Sequence, residues 1–171
     1  DHAVRGFHSV TLWSDAQIQT ESVLTDLMGY RLQESTNGAK RLLIGDGRPS
    51  EIIDIADATS EPRGRMGIGV HHHVAFRVPD DESQNTASLA LSGSGLGVTS
   101  VQERFYFRSV YFREPGSVLF EIATDLPGFS ADEEPEHLGE RLCLPPWFEA
   151  NRPQIASKLP RIVTPKGVEL P

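Results

Sequence analysis

The sequence predicts an α+β fold of two tandem βαβββ modules whose sheets form a curved, half-open barrel. The first observation behind this prediction is a repeat, in which residues 7–12 match residues 71–76 at an offset of 64. The second is that residues 53–56 match residues 120–123 at an offset of 67. An offset that stays nearly constant along the module indicates a duplicated unit. The matched segments also alternate apolar and polar residues, as half-buried strands do.

The first module spans about residues 5–57 and is predicted as a strand, a helix and three further strands. The predicted strands cover residues 5–13, 30–34, 40–45 and 50–56. Ser14-Asp15 offers an N-cap for the helix, and Gly29 is a usual C-terminal stop. A polar linker over residues 57–68 then leads to the second module.

The second module spans about residues 69–125 and repeats this order. Its predicted strands cover residues 70–78, 98–103, 107–113 and 117–123, with a helix over residues 80–92. Residues 126–171 have a different composition, with an apolar, proline-rich stretch at residues 142–148. We expect this tail to pack as a strap over the sheet or over a partner domain, with a short helix at residues 152–159, and not to form a third domain.

Composition excludes several classes of function. A net charge of −8 argues against nucleic acid as a partner. No apolar run approaches the ~20 residues that a membrane span needs, so we expect no membrane partner. The single cysteine, Cys143, cannot form an intrachain disulfide and suits a cytoplasmic protein. Because the chain begins at Asp1 and not at methionine, we expect it to be a processed or trimmed piece of a longer protein.

The strand predicted over residues 70–78 contains three consecutive histidines. On a strand His73 points away from the apolar face that Val74 shares with His72, and therefore into the concave side of the sheet. Glu121 points to the same side from the last strand of the module. A carboxylate inside an apolar strand is costly to bury without a partner. We therefore expect His73 and Glu121 to meet and to supply two of the three ligands of an open iron site.

Simpler interpretations of these residues are a partly exposed strand end for the histidines and an ion pair between Glu121 and an arginine such as Arg113. A third metal ligand is harder to find. His8 is the obvious residue, but the repeat pairs His8 with His72 and puts Ser9 at the position of His73. Strand parity therefore disfavours His8 unless the strand carries a bulge. His71 has no predicted role.

Two further residues are predicted near the concave face. Tyr111 points to that side of its strand, and Arg104 precedes the strand, where it could reach over the mouth of the concave face. A phenol and a guanidinium beside a metal suit a substrate that carries an ionised oxygen.

With these residues the sequence resembles the vicinal oxygen chelate superfamily of glyoxalases, bleomycin-resistance proteins and extradiol dioxygenases. Within it, the chain most resembles ring-cleaving dioxygenases of the hydroquinone type. The motifs that carry the resemblance are Gly6-Phe7-His8-Ser9, His72-His73, the spacing of Arg104, Tyr111 and Glu121, and Leu142 through Pro145-Pro146. The resemblance covers nearly the whole chain and fits the carboxy-terminal half of these four-module enzymes.

The resemblance implies Fe(II) bound by His73 and Glu121, with the remaining histidine supplied by the absent amino-terminal half; Mn(II) would fit the same ligands. It also implies that His72 is the acid–base residue and that Arg104 and Tyr111 bind the substrate. The implied reaction opens hydroquinone or catechol-like aromatics with O2 and serves aromatic compound degradation. The implied partners are the missing half or a partner chain, and we expect a homo-oligomer.

Two alternatives remain at this point. One is a metal-free module that binds an aromatic ligand, like the bleomycin-resistance proteins. The other is a glyoxalase-type isomerase or lyase, which would need two metal ligands from each module, and Ser9 counts against it. If a ligand is missing, the chain alone will bind Fe(II) weakly or not at all.

Overall fold

The structure is a computed structural model that describes residues 4, 6–36, 38–62, 64–163, 167 and 169–170. Arg5, the predicted start of the first strand, lies outside the described residues. In the first module the elements are β1 (Ser9–Ser14), α1 (Gln17–Ser22), a π-helical turn (Val23–Leu27), β2 (Arg31–Thr36), β3 (Ala39–Leu43) and β4 (Ile52–Asp57). The helical segment ends at Leu27, two residues before Gly29, whose φ of +76° suits glycine.

The second module repeats this order. Its elements are β5 (Val74–Val78), α2 (Asp81–Gly93), β6 (Gln102–Glu103), β7 (Arg108–Arg113) and β8 (Leu119–Thr124). The tail contains three 3-10 helices (Phe129–Ala131, Pro135–His137 and Pro146–Asn151), α3 (Arg152–Lys158), and a hairpin of β9 (Ile162–Val163) and β10 (Glu169–Leu170). None of the helices in the described part of the chain is both long and apolar enough to cross a membrane.

Each module forms a four-stranded sheet, and the two sheets have the same topology. The strand order is β1-β4-β3-β2 in the first sheet and β5-β8-β7-β6 in the second. In each sheet the first strand runs parallel to the last strand of its module, with Val10 opposite Ile53 and Val74 opposite Phe120. These pairs reproduce the offsets of 64 and 67, so the predicted α+β fold of two βαβββ modules is confirmed. Among the described residues no strand closes either sheet into a complete barrel.

Three predicted strands begin later than expected: β1 begins at Ser9, β5 at Val74 and β6 at Gln102. β5 begins at Val74, whose register partner is Phe120 of β8, so the three histidines precede the strand. Thr99, predicted inside a strand over residues 98–103, makes only a local contact with β7. Its N–H donates to the Tyr111 carbonyl at 2.9 Å, and its hydroxyl accepts from the Tyr111 N–H at 3.0 Å. The hydroxyl takes the place of a ladder carbonyl, and the regular ladder is confined to β6.

One hydrophobic core joins the two modules. Its buried side chains come from both sheets and from the helical segments, and they include Leu24, Ile55, Leu91, Phe112 and Phe120. At the boundary the ring of Tyr30 meets the ring of Phe76 edge-on, with centroids 6.1 Å apart. The apolar side of the second sheet is therefore covered by the first module and α2. Phe120 and Ile122 point to this apolar side. Glu121 alternates with them on β8 and therefore lies on the opposite side of the sheet.

A buried carboxylate also links the modules. Glu114, in the turn between β7 and β8, is only 2% exposed. It accepts hydrogen bonds from the Thr20 hydroxyl at 2.6 Å and from the N–H groups of Gly116 and Val118, both at 2.8 Å. Gly116 approaches Ser14 of the first module so closely that a side chain at this position would collide with it. The turn therefore fits against the end of β1 only with glycine at position 116.

Asp80 caps α2 and gives a testable dependence of stability on pH. Its carboxylate accepts from the Ser83 N–H at 2.8 Å, and hydrogen bonding from Ser83 holds the pKa of Asp80 below its usual value of 3.8. A lowered folded-state pKa contributes stability above pH 3.8 that is lost as the pH falls through the folded-state pKa. We expect Asp80→Asn, which keeps an acceptor oxygen, to show a shallower fall of melting temperature between about pH 4 and 2 than the parent chain.

The comparison isolates Asp80, because Asp57 and Glu133, whose pKa values are also lowered by hydrogen bonds, are present in both proteins. Identical melting curves at every pH would contradict the assignment.

Candidate active site

Glu121 lies at the centre of the open side of the second sheet. On β8 it is flanked by Ala75 of β5 and Tyr111 of β7, which are its direct register partners. We call this face of β5, β7 and β8 the second cup. Glu121 is 2% exposed, and its neighbours Phe120 and Ile122 point into the core on the opposite side of the sheet. The strand alternation therefore forces one charged group into an apolar strand, on the cup side.

His73 supplies the partner of this carboxylate. It precedes Ala75 by two residues and so lies on the same side of the chain. Its Nε2 is 2.7 Å from the Glu121 Oε2, and 32% of its side chain is exposed. Ser109 of β7 donates its hydroxyl hydrogen to the other carboxylate oxygen. Both oxygens of Glu121 are thus held, one by a fixed hydroxyl and one by an imidazole that reaches solvent.

His72 lies against His73 and not on the apolar side that strand parity predicts. The two Nδ1 atoms are 2.8 Å apart, and the rings are perpendicular with centroids 5.1 Å apart. The expected parity is wrong for His72 because the histidines precede β5 and are not constrained by its ladder. One Nδ1 must carry the hydrogen and the other accept it. His71 is exposed on the same segment.

Tyr111 and Arg104 complete the group. The Tyr111 ring lies edge-on to the His73 ring at 5.8 Å between centroids. The Arg104 guanidinium donates to the Tyr111 hydroxyl at 3.4 Å and lies 5.7 Å from the ring centroid. The second cup therefore brings together the five residues that the sequence singles out: His72, His73, Arg104, Tyr111 and Glu121. Arg113, the alternative partner of Glu121, donates instead to the Ser117 carbonyl at 2.9 Å.

The donor atoms suit a metal ion but are too few to enclose one. Imidazole and carboxylate are the ligands of open non-haem iron sites, and here they converge on one point of the cup. In the part of the chain that the structure describes, no three His, Cys, Asp or Glu side chains are grouped as metal ligands. His8 lies on the first module, with its ring exposed and its Nδ1 3.3 Å from the Ser9 hydroxyl. It is not grouped with His73 and Glu121 in the described part of the chain.

Known proteins are similar to this chain in both sequence and fold. No family model matches the chain. A candidate ring-cleaving dioxygenase of Bacillus subtilis strain 168, MhqO, is 41% identical over 160 residues, which are 93% of this chain and 50% of MhqO. The chlorohydroquinone/hydroquinone 1,2-dioxygenase of Sphingobium indicum is 34% identical over 158 residues, which are 90% of this chain and 48% of that enzyme. The chain spans about half the length of the curated relatives it matches.

Solved structures of other proteins have the same fold. The crystal structure of a candidate dioxygenase from Bacillus subtilis strain 168 superposes with a TM-score of 0.79 at 40% identity, covering 88% of this chain and 48% of that one. The fosfomycin resistance protein FosX from Listeria monocytogenes has the same fold, with a TM-score of 0.57 at 21% identity over 71% of this chain and 94% of that one. The chain has the vicinal oxygen chelate fold and is similar to one half of the ring-cleaving dioxygenases.

The two vicinal oxygen chelate modules differ at their cups. In the first cup, the matching face of β1, β3 and β4, Asp54 lies where Glu121 lies and Arg41 lies where Tyr111 lies. Arg41 holds Asp54 through two hydrogen bonds, of 2.7 and 2.9 Å, and hydrogen bonding to Asp54 raises the pKa of Arg41. Ser9 occupies the position of His73. The first cup therefore neutralises its carboxylate with an arginine of its own chain.

The sequence-based prediction named neither Arg41 nor Ser109 as the partner of a carboxylate in either cup. Arg41 and Asp54 share a face of neighbouring strands, so their pairing could have been predicted from strand parity and the repeat. Ser109 shares the cup side of β7 with Tyr111, but its contact with Glu121 is diagonal to the register pair, and only the side-chain rotamers decide it.

Proposed function

We propose that this chain is the ligand-bearing half of an Fe(II)-dependent, extradiol-type ring-cleaving dioxygenase that acts on hydroquinone or catechol-like aromatics. The observation that carries the proposal is the His73–Glu121 pair, with Nε2 and Oε2 2.7 Å apart in a cup that also presents Tyr111 and Arg104. The names of MhqO and of the Sphingobium indicum enzyme support the same reaction class. The proposed compartment is the cytoplasm.

His73 Nε2 and Glu121 Oε2 would hold the metal, and Mn(II) would fit the same two atoms. When bound, Fe(II) supplies a centre at which the substrate oxygen and O2 meet and exchange electrons. The reaction breaks one ring carbon–carbon bond and transfers both atoms of O2 to the product. The ring is oxidised as O2 is reduced, so no further reductant is required. The third ligand would come from a second half or a partner chain, as the half-length match to the relatives suggests.

The remaining residues of the second cup have separate roles in this proposal. The Arg104 guanidinium and the Tyr111 hydroxyl would bind the ionised substrate oxygen and stabilise the negative charge that develops on it. His72 would move a proton through the Nδ1 atom that now meets His73, since imidazole exchanges protons near neutral pH. Ser109 would keep the Glu121 carboxylate turned so that Oε2 faces the cup.

The proposal predicts that iron binding depends on a second half. We expect this chain alone to lose Fe(II) on dialysis, and a fusion with the half of MhqO that it does not match to retain stoichiometric iron. The reason is that two ligands leave the ion held too loosely, and the fusion supplies the third. Metal analysis after dialysis measures the difference. The fusion carrying His73→Ala, which lacks one proposed ligand, is the control.

Tight stoichiometric iron in the chain alone would contradict this expectation and would show that His8 or a second copy completes the site. Iron analysis of His8→Ala then distinguishes these two possibilities. Oxygen uptake with hydroquinone, together with detection of the ring-opened product, tests the reaction itself. A fusion that binds hydroquinone but consumes no O2 would favour the metal-free binding module instead.

A further inference from the structure

The turn that carries Arg104 has an unusual backbone. Residues 104–107 connect β6 to β7, and the Arg104 N–H donates to the Phe107 carbonyl at 2.9 Å. Phe105, at the tip, has a φ of +71°, a left-handed backbone conformation that residues other than glycine rarely adopt. Such a conformation persists only where surrounding contacts impose it. The contacts of Phe105 and Tyr106 therefore indicate what holds this turn.

The Phe105 N–H donates to the Glu103 carboxylate at 2.8 Å, and the other contacts come from the tail. Tyr106 accepts at its carbonyl from the Gly128 N–H at 2.8 Å, donates its hydroxyl to Asp132 at 2.9 Å, and stacks on Phe129 with centroids 5.1 Å apart. Phe105 meets the Trp147 ring edge-on at 6.1 Å. The tip of the turn is thus held by Glu103 of its own module and by a segment that follows the last strand of the sheet.

Arg104 depends on this support. Its side chain is exposed, and its guanidinium donates to Gln102 at 2.9 Å and to Tyr111 at 3.4 Å. A long, exposed arginine side chain has several accessible rotamers, and it keeps one position only when its backbone is fixed and its donors are engaged. Phe105 follows Arg104 directly, so the Phe105–Trp147 contact sets the direction from which the guanidinium reaches the second cup.

We propose that Phe105 and Trp147 are positioning residues, through which the tail holds Arg104 over Tyr111 and so sets the affinity of the second cup for its substrate. The positioning of Arg104 stands on the contacts alone. The effect on substrate affinity rests on the proposed function, since it requires that Arg104 binds the substrate oxygen.

The first test measures the mobility of Arg104 in this chain. We expect Trp147→Ala to lower the NMR order parameter of the Arg104 side-chain N–H, toward the value below about 0.6 that marks flexible groups. Phe148→Ala is the matched control, because Phe148 is a similarly exposed ring beside Trp147 in the same tail. Phe105→Gly removes the ring while relieving the positive φ, so it should free Arg104 without lowering the melting temperature. An order parameter that neither Trp147→Ala nor Phe105→Gly lowers, or that Phe148→Ala lowers equally, would overturn the proposal.

The second test uses the fusion with the half of MhqO. We expect Trp147→Ala and Phe105→Gly to raise the KM for hydroquinone roughly twofold to tenfold, the range that one lost aromatic contact allows. The kcat should stay nearly constant, and Trp147→Phe should restore the KM. Adding Trp147→Ala to Arg104→Ala should raise the KM no further, because both act through the same guanidinium.

The tests distinguish a failure of the proposed function from a failure of the proposed role of the tail. A fusion without any oxygen uptake contradicts the proposed function and leaves the mobility result standing. An active fusion whose KM is unchanged although Arg104 has become mobile contradicts the role of the tail in substrate affinity.

Discussion

Replacing Glu121 with glutamine is expected to abolish iron retention and to lower ring cleavage by more than about 100-fold in the fusion with the half of MhqO. Loss of a group that merely supports a metal ligand already costs 10- to 100-fold, and the amide lacks the charge that a ligand to Fe(II) supplies. Ser109 can still donate to the amide oxygen, so the chain should stay folded. Iron content after dialysis and oxygen uptake measure the effect, and circular dichroism checks the fold.

Asp54→Asn is the matched control, because it makes the same change at the same position of the first cup. We expect it to leave iron content and oxygen uptake within about twofold of the parent fusion, since Arg41 and not a metal is the partner of Asp54. Equal losses from the two substitutions would show that the second cup is not the metal site. Full activity in Glu121→Gln would exclude Glu121 as a ligand.

Glu114→Ala is expected to reduce the free energy of unfolding by about 3 kcal/mol, since it leaves several buried donors without an acceptor and opens a cavity between the modules. The donors are the Thr20 hydroxyl and the N–H groups of Gly116 and Val118. Urea denaturation followed by circular dichroism measures the loss. Thr20→Val should cost about 1–3 kcal/mol, because the carboxylate then loses one of its donors.

The double variant distinguishes a network from two separate contacts. If Thr20 and Glu114 act together, the combined loss should fall short of the sum of the single losses by at least about 0.5 kcal/mol. Asp46→Ala, which removes an exposed ion pair with Arg48, is the surface control and should change stability by less than about 0.5 kcal/mol. A loss from Glu114→Ala as small as that from Asp46→Ala would show that the buried carboxylate does not join the modules.

The parts of the molecule that follow from periodicity could be predicted from the sequence. The duplication is visible because both modules keep the same strand register, with Val10 and Val74 in equivalent pairs. The proximity of His73 and Glu121 follows from strand parity together with the adjacency of the first and last strands. Gly29 and Asp80 mark helix ends through local backbone preferences. Each of these signals depends on a few neighbouring residues.

What escaped prediction depends on contacts between distant parts of the chain or on side-chain rotamers. The ring of His72 turns toward His73 because the ladder stops at Val74, and no local signal fixes the end of a ladder. The contacts of the tail with Phe105 and Tyr106 join segments that share no repeat and no periodic pattern. The positive φ of Phe105 is likewise imposed by packing and not by its residue type.

The Arg41–Asp54 pair has a consequence for where metal goes in a protein built from duplicated modules. A cation that approaches the first cup must displace a guanidinium held by two hydrogen bonds, and then finds a serine where the second cup has an imidazole. In the second cup no arginine holds the carboxylate, and the partner of Glu121 is His73, which would itself be a ligand of the metal. Under the proposed function, the tethered guanidinium would act as an internal counter-ion that keeps a cation out of the first cup and leaves the second cup as the metal site.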